Sequence, residues 1–177
     1  MPRLRNRQPV LKPQDFYLLL ALAACRDRGT TYPELAAFSG LSMSEVHGAL
    51  KRAEVARLLF FDDKRPRILL PAFREFLYHG ARYAFPALRG ALAVGLPTAY
   101  AAAPLNAHIA PSSEPVPVWP FIGGPVRGGS VVPLYSSAPA AAARSPALYE
   151  NLALFDALRM GNARERALAQ DLFETRL

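Results

Sequence analysis

Apolar residues recur at intervals of three and four along much of this chain, and these intervals divide it into helices. Phe16, Leu19, Leu20, Ala23 and Ala24 predict a helix over 14–28, opened by Pro13 in its first turn and closed by Gly29. The sequence Thr31-Tyr32-Pro33-Glu34 reads as a capping box, in which Thr31 caps the helix and Glu34 reaches back to it. That second helix runs through Leu35, Ala36 and Phe38 to about Ser39. A further box, Ser42-Met43-Ser44-Glu45, opens a third helix that carries Val46, Leu50 and Ala53 on one face. Only Gly40 and Leu41 lie between the last two helices, so the turn joining them is tight.

Beyond these helices the period changes. Leu58-Leu59-Phe60-Phe61 and Arg67-Ile68-Leu69-Leu70 are short apolar runs around the polar Asp62–Pro66 stretch, which predicts a two-stranded hairpin with a basic tip. Phe73, Phe76, Leu77 and Ala81 restore helical spacing over 72–85, and Pro86 ends that helix at or before Phe85. From about Leu96 the texture becomes irregular. Residues 97–146 hold 10 of the 17 prolines, yet Val118, Trp119, Phe121, Ile122, Val131, Val132, Leu134 and Tyr135 are too apolar for a solvated linker. The expectation is an extended segment that packs down, with short strands, and mobile stretches at 98–113 and 136–144. Helical spacing returns with Leu148, Leu152, Phe155 and Leu158 after the Ser145-Pro146 start, and again with Leu168 and Leu172 or Phe173 after Asn162.

The expected fold class is therefore mainly α with a small β-hairpin, followed by a Pro-rich extended segment and C-terminal helices. The expected divisions are a basic arm at 1–11, a helical and hairpin domain at 12–90, a Pro/Gly-rich segment at 91–144, and a helical hairpin at 145–177.

Charge separates the two halves. Residues 1–90 contain 15 Lys/Arg and 8 Asp/Glu, whereas 91–177 contain six of each, so the whole net charge of +7 lies in the first half. A polyanionic partner suits that half, because every phosphate neutralised releases a counterion. The first apolar run is too short to span a bilayer and Arg26 closes it, so no membrane association is expected. The basic start lacks a signal-peptide cleavage pattern, and a lone Cys25 rules out an internal disulfide, which together point to the cytoplasm.

The order helix, helix–turn–helix, hairpin over 12–71 resembles the winged helix-turn-helix DNA-binding domain of bacterial regulators such as the MarR and ArsR families. Glu34-Leu35-Ala36 and the run from Gly40-Leu41-Ser42 to Lys51-Arg52 carry the resemblance, with the hairpin at the expected distance. With Val46, Leu50 and Ala53 inward, the third helix turns Ser44, Glu45, His47, Gly48, Lys51 and Arg52 outward. Ser44 and His47 suit base edges or phosphates, and Glu45 a cytosine amino group unless its capping role claims it. Gly48 carries a helix-propensity cost of about 1 kcal/mol relative to Ala, which points to close packing or to close approach to DNA. Lys51 and Arg52 suit phosphates. The resemblance places the wing tip Lys64, Arg65 and Arg67 over a flanking backbone or minor groove. Thr31 and Ser42, at the two helix starts, complete the expected double-stranded DNA contacts. Arg3, Arg5 and Arg7 could add to them from the arm.

Catalytic chemistry finds little footing. His47, His79 and His108 stand apart from metal-ligand spacings, Cys25 lies on an apolar face, and the Gly123–Ser130 glycines lack the Gly-Lys-Ser/Thr ending of a phosphate loop. No enzyme activity, cofactor or metal is expected. The expected function is that of a sequence-specific DNA-binding regulator, a repressor acting as a homodimer because paired recognition helices read paired half-sites. The final helices carry more apolar surface than one hairpin can hide. This favours a dimer interface there over packing back on the first domain. The alternative is an antitoxin or adaptor whose winged helix and C-terminal half bind a partner protein, since the C-terminal half lacks the long dimerisation helix of MarR proteins.

Overall fold

The computed structural model describes residues 10–25, 30–110 and 115–177. The arm with Arg3, Arg5 and Arg7, and the expected end of the first helix at 26–29, lie outside the described residues. Helix α1 (Pro13–Ala24) leads to α2 (Tyr32–Ser39) and α3 (Met43–Val55), and then to an antiparallel hairpin of β1 (Leu59–Asp62) and β2 (Arg65–Ile68). Both capping boxes form at the expected residues. Gly40 closes α2 in the left-handed region at φ +71°, a conformation that costs glycine least.

The hairpin turn is tighter than the sequence suggested. Asp62 pairs with Arg65, leaving only Asp63 and Lys64 in the loop, both at positive φ (+44° and +62°). Two left-handed residues match the right-handed twist of the strands, which is why such turns close hairpins even without glycine. Pro66 accordingly lies within β2, where it is buried.

Residues 70–84 form one helical stretch in three parts: α4 (Leu70–Glu75), a π turn at Phe76–Gly80, and α5 (Ala81–Ala84). The Pro-rich region then folds into a three-stranded closed barrel of β3 (Arg89–Pro97), β4 (Pro117–Pro120) and β5 (Val126–Val131). Strand β3 is antiparallel to both neighbours, and β4 and β5 are parallel. The barrel is narrow enough to require glycine at its contacts: a Cβ on Gly95 would strike the Trp119 carbonyl, and one on Gly128 the Val116 carbonyl. The 136–144 stretch, expected to be mobile, instead holds the short helix α6 (Ala138–Ala142), with Ala138, Ala141 and Ala142 buried.

Helices α7 (Pro146–Met160) and α8 (Ala163–Glu174) complete the fold, and α7 departs from the expectation of a free apolar stripe. Every residue of α7 from Asn151 to Arg159 is buried within the protomer, so this helix packs back on the first half and its apolar side is already used. The centre of the core is Phe16 of α1, whose ring lies 5.0 Å from that of Phe155 in α7 and 5.4–5.6 Å from those of Phe73, Phe76 and Phe85. One hydrophobic core therefore includes residues from all three expected divisions, 12–90, 91–144 and 145–177.

Two ion pairs, the first part-buried and the second enclosed, fix the registration. In the first, Arg52 of α3 donates through Nε and Nη2 to the carboxylate of Asp15 in α1, at 2.8 and 2.6 Å. In the second, Asp156 of α7 accepts from Arg159, from the Thr98 hydroxyl at 2.8 Å and from the Trp119 indole at 2.7 Å. Arg159 continues to the carbonyls of Phe85 and Val132, at 3.3 and 3.5 Å. The barrel is thus bonded to α7 through charged groups that are almost fully enclosed.

Candidate nucleic-acid interface

The start of α3 is held from three directions. Its N-cap Ser42 accepts from the Glu45 amide at 3.3 Å, while Glu45 Oε2 accepts from the Ser42 amide and hydroxyl at 2.8 and 2.7 Å. The other oxygen of Glu45 accepts from Gln14 Nε2 of α1 at 2.8 Å and from the Tyr135 hydroxyl, beyond the barrel, at 2.9 Å. The Ser42 amide and hydroxyl, then Tyr135 and Gln14, hold the Glu45 carboxyl down to about 2. Burial and the hydrogen bond to Glu45 push the Tyr135 hydroxyl upward. The turn before α3 is braced similarly: the Ser39 carbonyl accepts from the Tyr17 hydroxyl at 2.6 Å and from the Ser137 hydroxyl at 3.0 Å.

These bonds reassign several residues expected to face DNA. Glu45 already receives four donors, so its acceptor capacity is spent inside the protein. Ser42 is spent on its cap, and Thr31 donates its amide and hydroxyl to Glu34, both at 2.8 Å. The Thr31 bonds also lower the Glu34 carboxyl from its ordinary value. Arg52 is tied to Asp15 rather than turned to solvent. Gly48 serves that tie, because the Arg52 side chain folds back over it and a Cβ there would come within 3.2 Å of the guanidinium.

Ser44, His47 and Lys51 remain exposed on α3, and Lys64 and Arg65 on the hairpin turn. Lys51 makes a surface ion pair with Glu54 at 3.2 Å, and its ammonium lies 5.6 Å from the centre of the Phe61 ring. His47 stands 6.2 Å from the ring of Tyr32, which in turn stands 6.4 Å from Phe61. Tyr32 of α2, His47 and Lys51 of α3 and Phe61 of β1 thus enclose the junction of the three elements. Tyr32 and Phe61 were not singled out from the sequence; the positions of Tyr32 directly after the Thr31 cap and of Phe61 beside the turn were the available signals. Arg65 lies close enough to Glu34 to lower its carboxyl further, which sets the hairpin tip beside the start of α2. Arg67 pairs with Phe60 in the ladder, on the hairpin face opposite to Phe61, and is half-buried.

Among the described residues, no group of three His, Cys, Asp or Glu is placed to hold a metal ion. No helix of the described residues is long and apolar enough to cross a membrane. Comparison with protein families, with curated proteins and with solved structures returned no match.

Proposed function

We propose that the chain is a sequence-specific regulator that binds double-stranded DNA with α3 in the major groove and the β1–β2 turn over the adjacent backbone, as in a winged helix-turn-helix, and that it represses by occlusion. The observation supporting this reading is the exposed set Ser44, His47, Lys51, Lys64 and Arg65, carried by a helix and a hairpin that meet around Tyr32 and Phe61. The concentration of all excess positive charge in residues 1–90 adds the long-range attraction that a phosphate backbone rewards. Lys51, Lys64 and Arg65 are the phosphate-binding members; Ser44 and His47 are the residues that read bases. Symmetric reading would bring two copies to neighbouring half-sites on the DNA, since the apolar side of α7 is enclosed in each protomer.

Random-site selection at physiological salt, followed by fluorescence anisotropy across a salt series, tests this reading. An enriched motif is expected, with affinity falling steeply as salt rises. Lys51→Ala should weaken binding to all sequences and flatten the salt slope by about one unit. His47→Ala should redistribute preference among sequences. Arg52→Ala is the control, expected to cost about 3 kcal/mol of stability in urea denaturation because it leaves the Asp15 charge buried without its partner. A selection that enriches nothing refutes sequence-specific recognition.

A further inference from the structure

The barrel carries an apolar face that no other element among the described residues covers. Leu92 and Val94 of β3 are 57% and 50% exposed, and Ile122, in the turn between β4 and β5, is 99% exposed. Aliphatic side chains grouped in this way on a folded surface mark a contact site. The turn makes the face concave. The Phe121 amide donates to the Val94 carbonyl at 3.1 Å, and Gly124 rests directly on the backbone of Gly95, so the turn folds back against β3. Val94, Pro120, Phe121, Ile122 and Gly123 then line a notch of about 360 Å³, roomy enough for one large side chain.

Charge and topology determine what fits there. Arg127 lies directly opposite Val94 in the β3–β5 ladder, so the two side chains share the face, and Arg127 is exposed. No Asp or Glu occurs in residues 89–97 or 117–131, so nothing in the strands or their connecting turn neutralises it. A second copy docking through the same face would bring another Arg127 and, from its own strands and turn, no Asp or Glu to answer it, so like charge would be added without a counter-charge. Because the barrel is closed, it offers no strand edge to extend, and a partner must dock through side chains.

We infer that this face docks an acidic segment of a partner protein, which places an aliphatic or aromatic anchor in the Val94–Ile122 notch and a carboxylate on Arg127. The inference stands apart from the DNA reading, since none of these residues belongs to α3 or to the β1–β2 hairpin.

The test presents a phage-displayed random-peptide library to the immobilised full-length chain and measures the affinity of a synthetic peptide of the enriched sequence. Enriched peptides should combine Asp or Glu with a large apolar residue. Ile122→Asp and Arg127→Glu should each weaken the synthetic peptide about tenfold or more, as loss of a central anchor does. Lys51→Ala should leave it unchanged. Repeating the selection on Arg127→Glu should enrich Lys and Arg in place of the acids. Both variants alter exposed side chains, and an unchanged melting temperature confirms that each folds. No enrichment, or a peptide affinity indifferent to both variants, overturns the proposal. So does Ile122-dependent self-association in sedimentation velocity, which assigns the face to a second copy. Ile122-dependent flotation with phosphatidylglycerol vesicles overturns it as well, by assigning the face to lipid.

Discussion

Glu45 illustrates how one side chain on an expected recognition helix comes to serve the fold. Its carboxylate receives two donors from Ser42, one from Gln14 and one from Tyr135, and these hold its folded-state value at about 2 against an ordinary 4.5. A group depressed in the folded state binds protons more readily when unfolded, so its contribution is fully present above about 4.5 and is lost as pH falls toward 2. Thermal unfolding between pH 5 and pH 2 should therefore show a downward slope that Glu45→Gln makes shallower. A slope identical in both proteins would mean that the Ser42, Tyr135 and Gln14 bonds do not favour the charged form. The sequence disclosed the Ser42 half of this arrangement, because a capping box is a local pattern four residues long. It did not disclose the other half. Tyr135 lies 90 residues away and Gln14 lies 31 away, and no periodicity relates either to Glu45. The same distance hid the Arg52–Asp15 pair, separated by 37 residues, so Arg52 read as a surface cation.

At the scale of elements, the hairpin is the clearest departure from ordinary backbone preference. Lys64 sits at φ +62° and Asp63 at +44°, where a non-glycine residue meets its own carbonyl more closely than in the right-handed regions. Lys64→Gly should stabilise the protein by about 1 kcal/mol in urea denaturation, the scale of a relieved left-handed residue. On the proposed DNA-binding reading it should also weaken DNA binding, so stability and affinity are expected to move in opposite directions. An affinity that rises with stability would argue against Lys64 as a contact. Helices α1 to α3 and the existence of this hairpin were legible because each depends on spacing and caps within about a dozen residues. The three-stranded barrel was legible only as apolar residues among prolines. Its closure depends on Gly95 and Gly128 admitting neighbouring carbonyls, and a single sequence does not show which backbone will approach which glycine.

At the scale of the molecule, one hydrophobic core draws on residues from either side of the expected boundaries at 90 and 145. Those boundaries followed changes of composition, which report how a segment is built but not where its apolar side goes. Asp156 is the point at which this unity can be probed. It joins α7 to Thr98 after β3, to Trp119 of β4 and, through Arg159, to the carbonyls of Phe85 and Val132. Asp156→Ala leaves Arg159 as a buried charge without its counter-ion, and a loss of about 3–5 kcal/mol is expected. Tryptophan fluorescence reports the barrel and circular dichroism the helices. Both should lose structure in a single coincident transition at a lower urea concentration than in the parent chain. Two separate midpoints would show that the barrel unfolds on its own.

The side-chain amide of Asn151 donates to the carbonyl of Leu20 at 3.2 Å across 131 residues, in the middle of the α1–α7 contact. On the ribosome, α1 therefore emerges long before the helix that encloses it. The row of its residues that faces α7, including Leu20 and the Phe16 ring that packs on Phe155, must remain uncovered, or in the care of a chaperone, until α7 has been made. A stalled or shortened nascent chain ending before α7 would present that row to its surroundings, which makes quality control during synthesis a direct concern of this fold.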